Sequence, residues 1–213
     1  MAVLSRDEFD EIEFDAAATG DHAAAAQRMT RLAATAAQSE LMTRAEAFLR
    51  AGEQWLLAND PSAAAREFEM ALADGGPAFV DPRVPLARAL FLLGREPEAR
   101  RLLGELAEAG RRDPRACDLV AELLAEQGDL AGALDWVTAG VEACLARAGS
   151  ARHQPGGNGG AAGRLGEPGD DQAELELLLR LRYRIRNDLG LPPDAYDELL
   201  DLRLHRWPAR ARG

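Results

Sequence analysis

The chain has 213 residues, of which 47% are apolar and only 5% aromatic, a composition that favours closely packed helices over a sheet. Its formal net charge is −11, and all 25 basic residues are arginine. The charge sits in residues 1–148, where 26 acids face 15 arginines, while residues 149–213 carry ten of each. That balance argues against broad nucleic-acid binding by the acidic part. No apolar run is long enough for a membrane span, and Ser5 to Asp15 is too acidic for a signal peptide.

Ser5-Arg6-Asp7-Glu8 has the spacing of a capping box, and Phe9, Ile12 and Ala16 follow on one face, which predicts a helix to about Thr19. Gly20-Asp21 is a turn and cap, and a second helix follows to about Ala37. Ser39 is the candidate cap of a third helix ending at Ala58, and Asp60-Pro61 opens a fourth ending near Asp74-Gly75-Gly76. The same grammar predicts helices over Arg83–Leu93, Glu96–Ala109, Pro114–Gln127 and from Asp129 to about Ala148.

The stretch 149–171 is rich in glycine and lacks periodicity, so it reads as a flexible linker. Beyond it, Leu179 to Arg186 alternates apolar and basic residues as a strand would. The stripe Leu178, Leu181, Ile185 and Leu189, with Gly190 as a stop, favours a helix instead. Pro192-Pro193-Asp194 starts a last short helix to about Leu204 or His205. The organisation predicted is a repeat domain over 5–148, a linker over 149–171 and a helical segment over 172–205.

The turn positions Gly20, Asn59, Gly94 and Gly128 are 39, 35 and 34 residues apart. Five residues after each comes an alanine (Ala25, Ala64, Ala99, Ala133), and four further on a larger apolar residue (Met29, Phe68, Leu103, Val137). Gly52, Ala87 and Ala121 occupy the small position seven residues before their turns, and Trp55 fills an aromatic one. This pattern resembles the tetratricopeptide repeat, best over 45–77 and least over the first unit, which has Glu13 where the small residue belongs. The resemblance implies an all-α, right-handed superhelix of about four helix pairs. The segment RYRIRNDLGLPPDAYDELLD resembles the C-terminal part of bacterial tetratricopeptide proteins, some of which carry a Cys-rich SEC-C metal motif. This chain has no such cysteine cluster, so no metal function follows.

Little in the chain suggests catalysis. His22, His153 and His205 have no partner at catalytic or metal-ligand spacing and read as solvated. Cys117 and Cys144 stand apart and read as buried thiols on neighbouring helices, which suits the cytoplasm. Arg180, Arg182, Arg184 and Arg186 could meet an acidic partner. The pairs Arg180–Glu176 and Arg184–Asp188, or docking of the helix on the array, explain them more simply.

Two classes of function follow. The first is a non-catalytic interaction scaffold without cofactor or metal. The second is an enzyme, or an enzyme's accessory subunit, using an acidic groove. In the resembled family the first helix of each pair lines the groove. Its second, fifth, ninth and twelfth positions fall here on Glu46, Leu49, Glu53 and Leu56, then Asp81, Val84, Arg88 and Phe91, then Arg115, Asp118, Glu122 and Ala125. Acids outnumber bases there five to two. The carboxylate clamp found in some relatives is therefore not expected. A protein or peptide with basic residues around an apolar anchor is, the anchor meeting Leu49, Leu56, Val84 and Phe91.

Overall fold

The computed structural model describes residues 3–39, 41–110, 113–152 and 170–206. They fold into helices: α1 (Arg6–Thr19), α2 (His22–Thr35), α3 (Arg44–Leu57), α4 (Pro61–Asp74), α5 (Arg83–Leu92), α6 (Glu96–Glu108), α7 (Pro114–Glu126), α8 (Leu130–Arg152), α9 (Asp170–Asp188) and α10 (Ala195–Arg206). Among the described residues the one β-type contact is an isolated parallel bridge between Val3 and Ala37. The class is all-α and tetratricopeptide-like.

Local chemistry accounts for the helix ends. The side chains of Asp21, Asp60 and Asp113 accept hydrogen bonds from the N–H groups of Ala24, Ala63 and Ala116, three residues on. Asp129 does the same for Gly132 at the start of α8. The four turn positions all lie in the left-handed region, with φ of 77° at Gly20, 59° at Asn59, 71° at Gly94 and 79° at Gly128. Asparagine tolerates that region better than other residues with a side chain, which lets it stand where the other turns use glycine.

Three local expectations are corrected. Ser5 takes the N-cap position of α1 but makes no side-chain cap bond. Ser39 does not start the third helix: its hydroxyl accepts from Met42 N–H, and Thr43 caps α3 through Glu46 N–H. Glycine and serine at 149–150 do not stop α8, which runs on to Arg152, while α9 starts at Asp170. Residues 153–169, the centre of the expected linker, lie outside the described residues, as do 207–213. Leu179–Arg186 is helical, as the stripe and Gly190 favour.

The chain falls into two compact units, residues 1–110 and 111–213. The first holds α1 to α6, in which neighbouring helices pack in chain order. Its core is built of small residues against large ones. Gly52 of α3 faces Phe68 of α4 so closely that a Cβ on Gly52 would lie 2.3 Å from the ring. Ala25, Ala64 and Ala99 and their larger followers Met29, Phe68 and Leu103 are all buried. Glu13 occupies the small position of the first pair, and its carboxylate turns to α3, where Arg50 donates to it through Nε at 2.7 Å and Nη2 at 2.6 Å. An ion pair thus replaces the close approach of backbones.

In the second unit α7 and α8 form the fourth antiparallel pair, and α9 packs on both. Gly140 of α8 provides the room: a Cβ there would stand 2.8 Å from Cys117 and 3.0 Å from Leu178 of α9. The buried face of α9 is wider than the expected stripe, since Leu175 and Leu179 join Leu178, Leu181 and Ile185, while Leu189 stays exposed. Cys117 and Cys144 are buried thiols, outside any disulfide, on α7 and α8.

Candidate functional site

Helical spacing brings the expected groove residues of the first unit onto the first helices of their pairs, α3 and α5, except Asp81, which precedes α5. They divide into a floor and a rim. Leu49 and Val84 are 5% and 4% exposed and belong to the core, whereas Leu56 and Phe91 are half-buried. Glu53 and Arg88 are exposed, and Glu46 is half-buried. Only Leu56 and Phe91 of the four anchor positions therefore offer apolar surface.

The rim is acidic and crowded. Although Glu53 is exposed as a residue, the protein around its carboxyl desolvates it and pushes its pKa above the usual glutamate value. The charges of Glu13 and Glu46 add to that push, and Arg50 opposes it. Glu46 accepts a hydrogen bond from Phe79 N–H at 3.1 Å, and Asp81 is held by Arg83 at 2.9 and 2.8 Å. Arg50, already bound to Glu13, also donates to Asp10 at 2.6 Å and lies 5.5 Å from the Phe9 ring centroid. One guanidinium is thus shared among several carboxylates.

In the second unit the corresponding residues lie on α7. Asp118 is half-buried, and burial, then the charges of Glu122 and of Glu174 on α9, push its pKa up, with Arg184 opposing. Glu122 and Arg115 are exposed and Ala125 is half-buried. The helix α9 thus sets its own polar residues beside the expected binding positions of α7.

The arginines of α9 have internal partners. Arg182 is buried and donates to both oxygens of Asp194 at 2.9 and 2.6 Å and to Thr138 Oγ1 of α8 at 3.0 Å. Its guanidinium lies 4.6 Å from the Tyr196 ring centroid. Arg186 donates to Asp197 at 3.2 Å and to the Pro192 carbonyl. Arg180 pairs with Glu176 as its spacing predicts, but Arg184 makes no ion pair with Asp188; its charge acts on Asp118. Asp194 and Asp197 also cap α10 reciprocally, Asp194 N–H donating to Asp197 and Asp197 N–H to Asp194. Arg182 above all holds the Asp194 carboxyl down at about 2.

Other candidates dissolve into the fold. His22 is half-buried, and its Nδ1 donates to Oε1 of buried Gln54, 2.9 Å away on α3. His153 lies outside the described residues. Trp55 and Trp136 are half-buried. An open pocket of about 220 Å³ between α1 and α2, lined by Ile12, Asp15, Thr19, Asp21 and Arg28 among others, is below the roughly 300 Å³ at which small-molecule sites begin. Among the described residues no cluster of three His, Cys, Asp or Glu side chains could hold a metal ion, and no helix is long and apolar enough to cross a membrane.

Two features on or beside this face escaped the sequence reading. Phe14, at the ninth position of the first pair, is 76% exposed on α1 in the same register as Glu53 and Arg88. Phe79, whose N–H binds Glu46, is 67% exposed. Carrying the groove register back by one unit from Glu53 lands on Phe14, so that signal was present in the chain.

No curated protein and no solved structure matches the chain. The family model of the tetratricopeptide repeat matches residues 56–123, from the end of α3 into α7. This repeat generally mediates protein–protein interaction.

Proposed function

We propose that the chain is a non-catalytic interaction scaffold that holds a segment of a partner protein against the first helices of its pairs. In this reading Glu46, Glu53, Leu56, Arg88 and Phe91 form the contact surface of the first unit, with Leu49 and Val84 as its floor, and Asp118 and Glu122 form a separate contact surface on the second. The observation that carries it is Glu53, exposed as a residue but with its carboxyl partly desolvated and crowded by the charges of Glu13 and Glu46, with the half-buried Leu56 and Phe91 on the same helix faces. Such a surface suits basic residues flanking an apolar side chain and repels an acidic C-terminal peptide. The segment α9–α10, which resembles the C-terminal part of bacterial tetratricopeptide proteins related to SEC-C-motif proteins, serves here as an end-piece without a metal.

The test is capture of proteins from lysate by the full chain and by a Glu53→Gln/Glu122→Gln variant, at low and high salt. A protein retained by the parent at low salt, released by salt and lost from the variant supports the reading. Equal retention by both forms, or preference for an acidic peptide, contradicts it.

A further inference from the structure

We infer that the binding surface of the first unit extends onto α1, where Phe14 takes the apolar anchor of the partner and the carboxylates beside it take the flanking cation. The inference rests on the reading of the first-helix face given above and names the chemistry of its occupant: a lysine or arginine next to a large apolar side chain.

The placement comes first. Arg50 on α3 donates to Asp10 and Glu13 on α1, so α1 and α3 lie side by side. Phe14 follows Glu13 directly and holds the register position that Glu53 holds on α3. A phenylalanine that is 76% exposed leaves most of its ring in water, whereas Phe9, Phe48 and Phe68 are all buried. Burying an exposed aromatic side chain under a partner is favourable because it removes apolar surface from water, so the ring is a ready anchor.

Charge supplies the second, independent observation. Asp10, Glu13, Glu46 and Glu53 share this face with the guanidinium of Arg50, which is already bonded to two of them. Glu53 is left with like charges around it and with Arg50 as its opposing cation. An incoming cation would relieve that repulsion. The sign is definite. Because the carboxyl of Glu53 titrates above its unfolded value, its contribution to stability is full at low pH and is lost as pH rises through the folded-state pKa. A bound cation favours the charged form, so binding releases a proton and tightens as pH rises through the same range.

A fluorescent peptide of sequence Ala-Arg-Leu-Arg-Ala, with Ala-Glu-Leu-Glu-Ala and Ala-Arg-Ser-Arg-Ala as controls, tests this by anisotropy on the full chain. The expectation is salt-sensitive binding of the first peptide alone, weakened about tenfold or more by Phe14→Ala and by Glu53→Gln, and kept by Phe14→Trp. Glu53→Gln should at the same time raise the melting temperature at neutral pH, a readout that separates lost binding from lost folding. If Phe14→Ala binds like the parent while Glu53→Gln does not, the extension to α1 is overturned and the groove on α3 and α5 stands. If the peptide binds but neither variant matters, both readings fall. Absence of binding, equal binding of the serine peptide, or self-association that Phe14→Ala abolishes also overturns the extension, the last by assigning the ring to a second copy.

Discussion

Gly52 shows how much of the packing rests on single atoms. Its missing Cβ is the space that the Phe68 ring fills, and Phe68 is fully buried with nowhere to retreat. Gly52→Ala should cost about 1–3 kcal/mol by overpacking, more than the helix-propensity gain of about 1 kcal/mol from replacing glycine. Chemical denaturation checks this; a variant as stable as the parent would mean that the two helices lie farther apart. The small residues were legible in the sequence because they recur at fixed distances from each turn. The polar partners were not. Glu13 with Arg50, His22 with Gln54, and Thr30 with buried Glu67 at 2.9 Å join residues more than 30 positions apart on separate helices. Nothing local in either residue announces such a pair.

At the scale of elements, α10 is held to α9 by charge as much as by apolar contact. Arg182 and Arg186 of α9 both reach Asp194 and Asp197 at the start of α10. The folded-state pKa of Asp194, about 2, is below its ordinary value, so its contribution to stability is present above pH 4 and is lost as pH falls towards 2. Asp194→Asn should lower the melting temperature at pH 7, and the gap should narrow as the parent is titrated towards pH 2. A gap of constant size, followed by circular dichroism, would show that the carboxylate charge does not hold α10. The sequence carried half of this arrangement. The stripe predicted that α9 is a helix with a buried face, and the spacing predicted the Arg180–Glu176 pair. That Arg182 would be buried could not be read, because its partners Thr138 on α8 and Asp194 and Tyr196 at the start of α10 come from two segments far from it in the chain.

For the whole molecule, the pattern of helix, turn and alanine was readable from end to end, because each pair obeys the same local rules. The first and fourth pairs depart from it where other contacts intervene: an ion pair at Glu13, and α9 beside Asp118. The binding face was readable only as register positions. Burial then separates Leu49 and Val84 from the exposed positions of that register, among which is Phe14. The composition itself supplies the most direct test of the interaction claim. The chain contains no lysine, so amine-to-carboxylate cross-links formed by a carbodiimide in a complex must draw their amines from the partner or from an α-amino group. With the partner captured at low salt, mass spectrometry should place partner lysines on Glu46, Glu53, Asp118 or Glu122. Cross-links confined to Glu69, Asp74, Glu98 and Glu105, acids of α4 and α6, would place the partner on the second helices of the pairs and contradict the account.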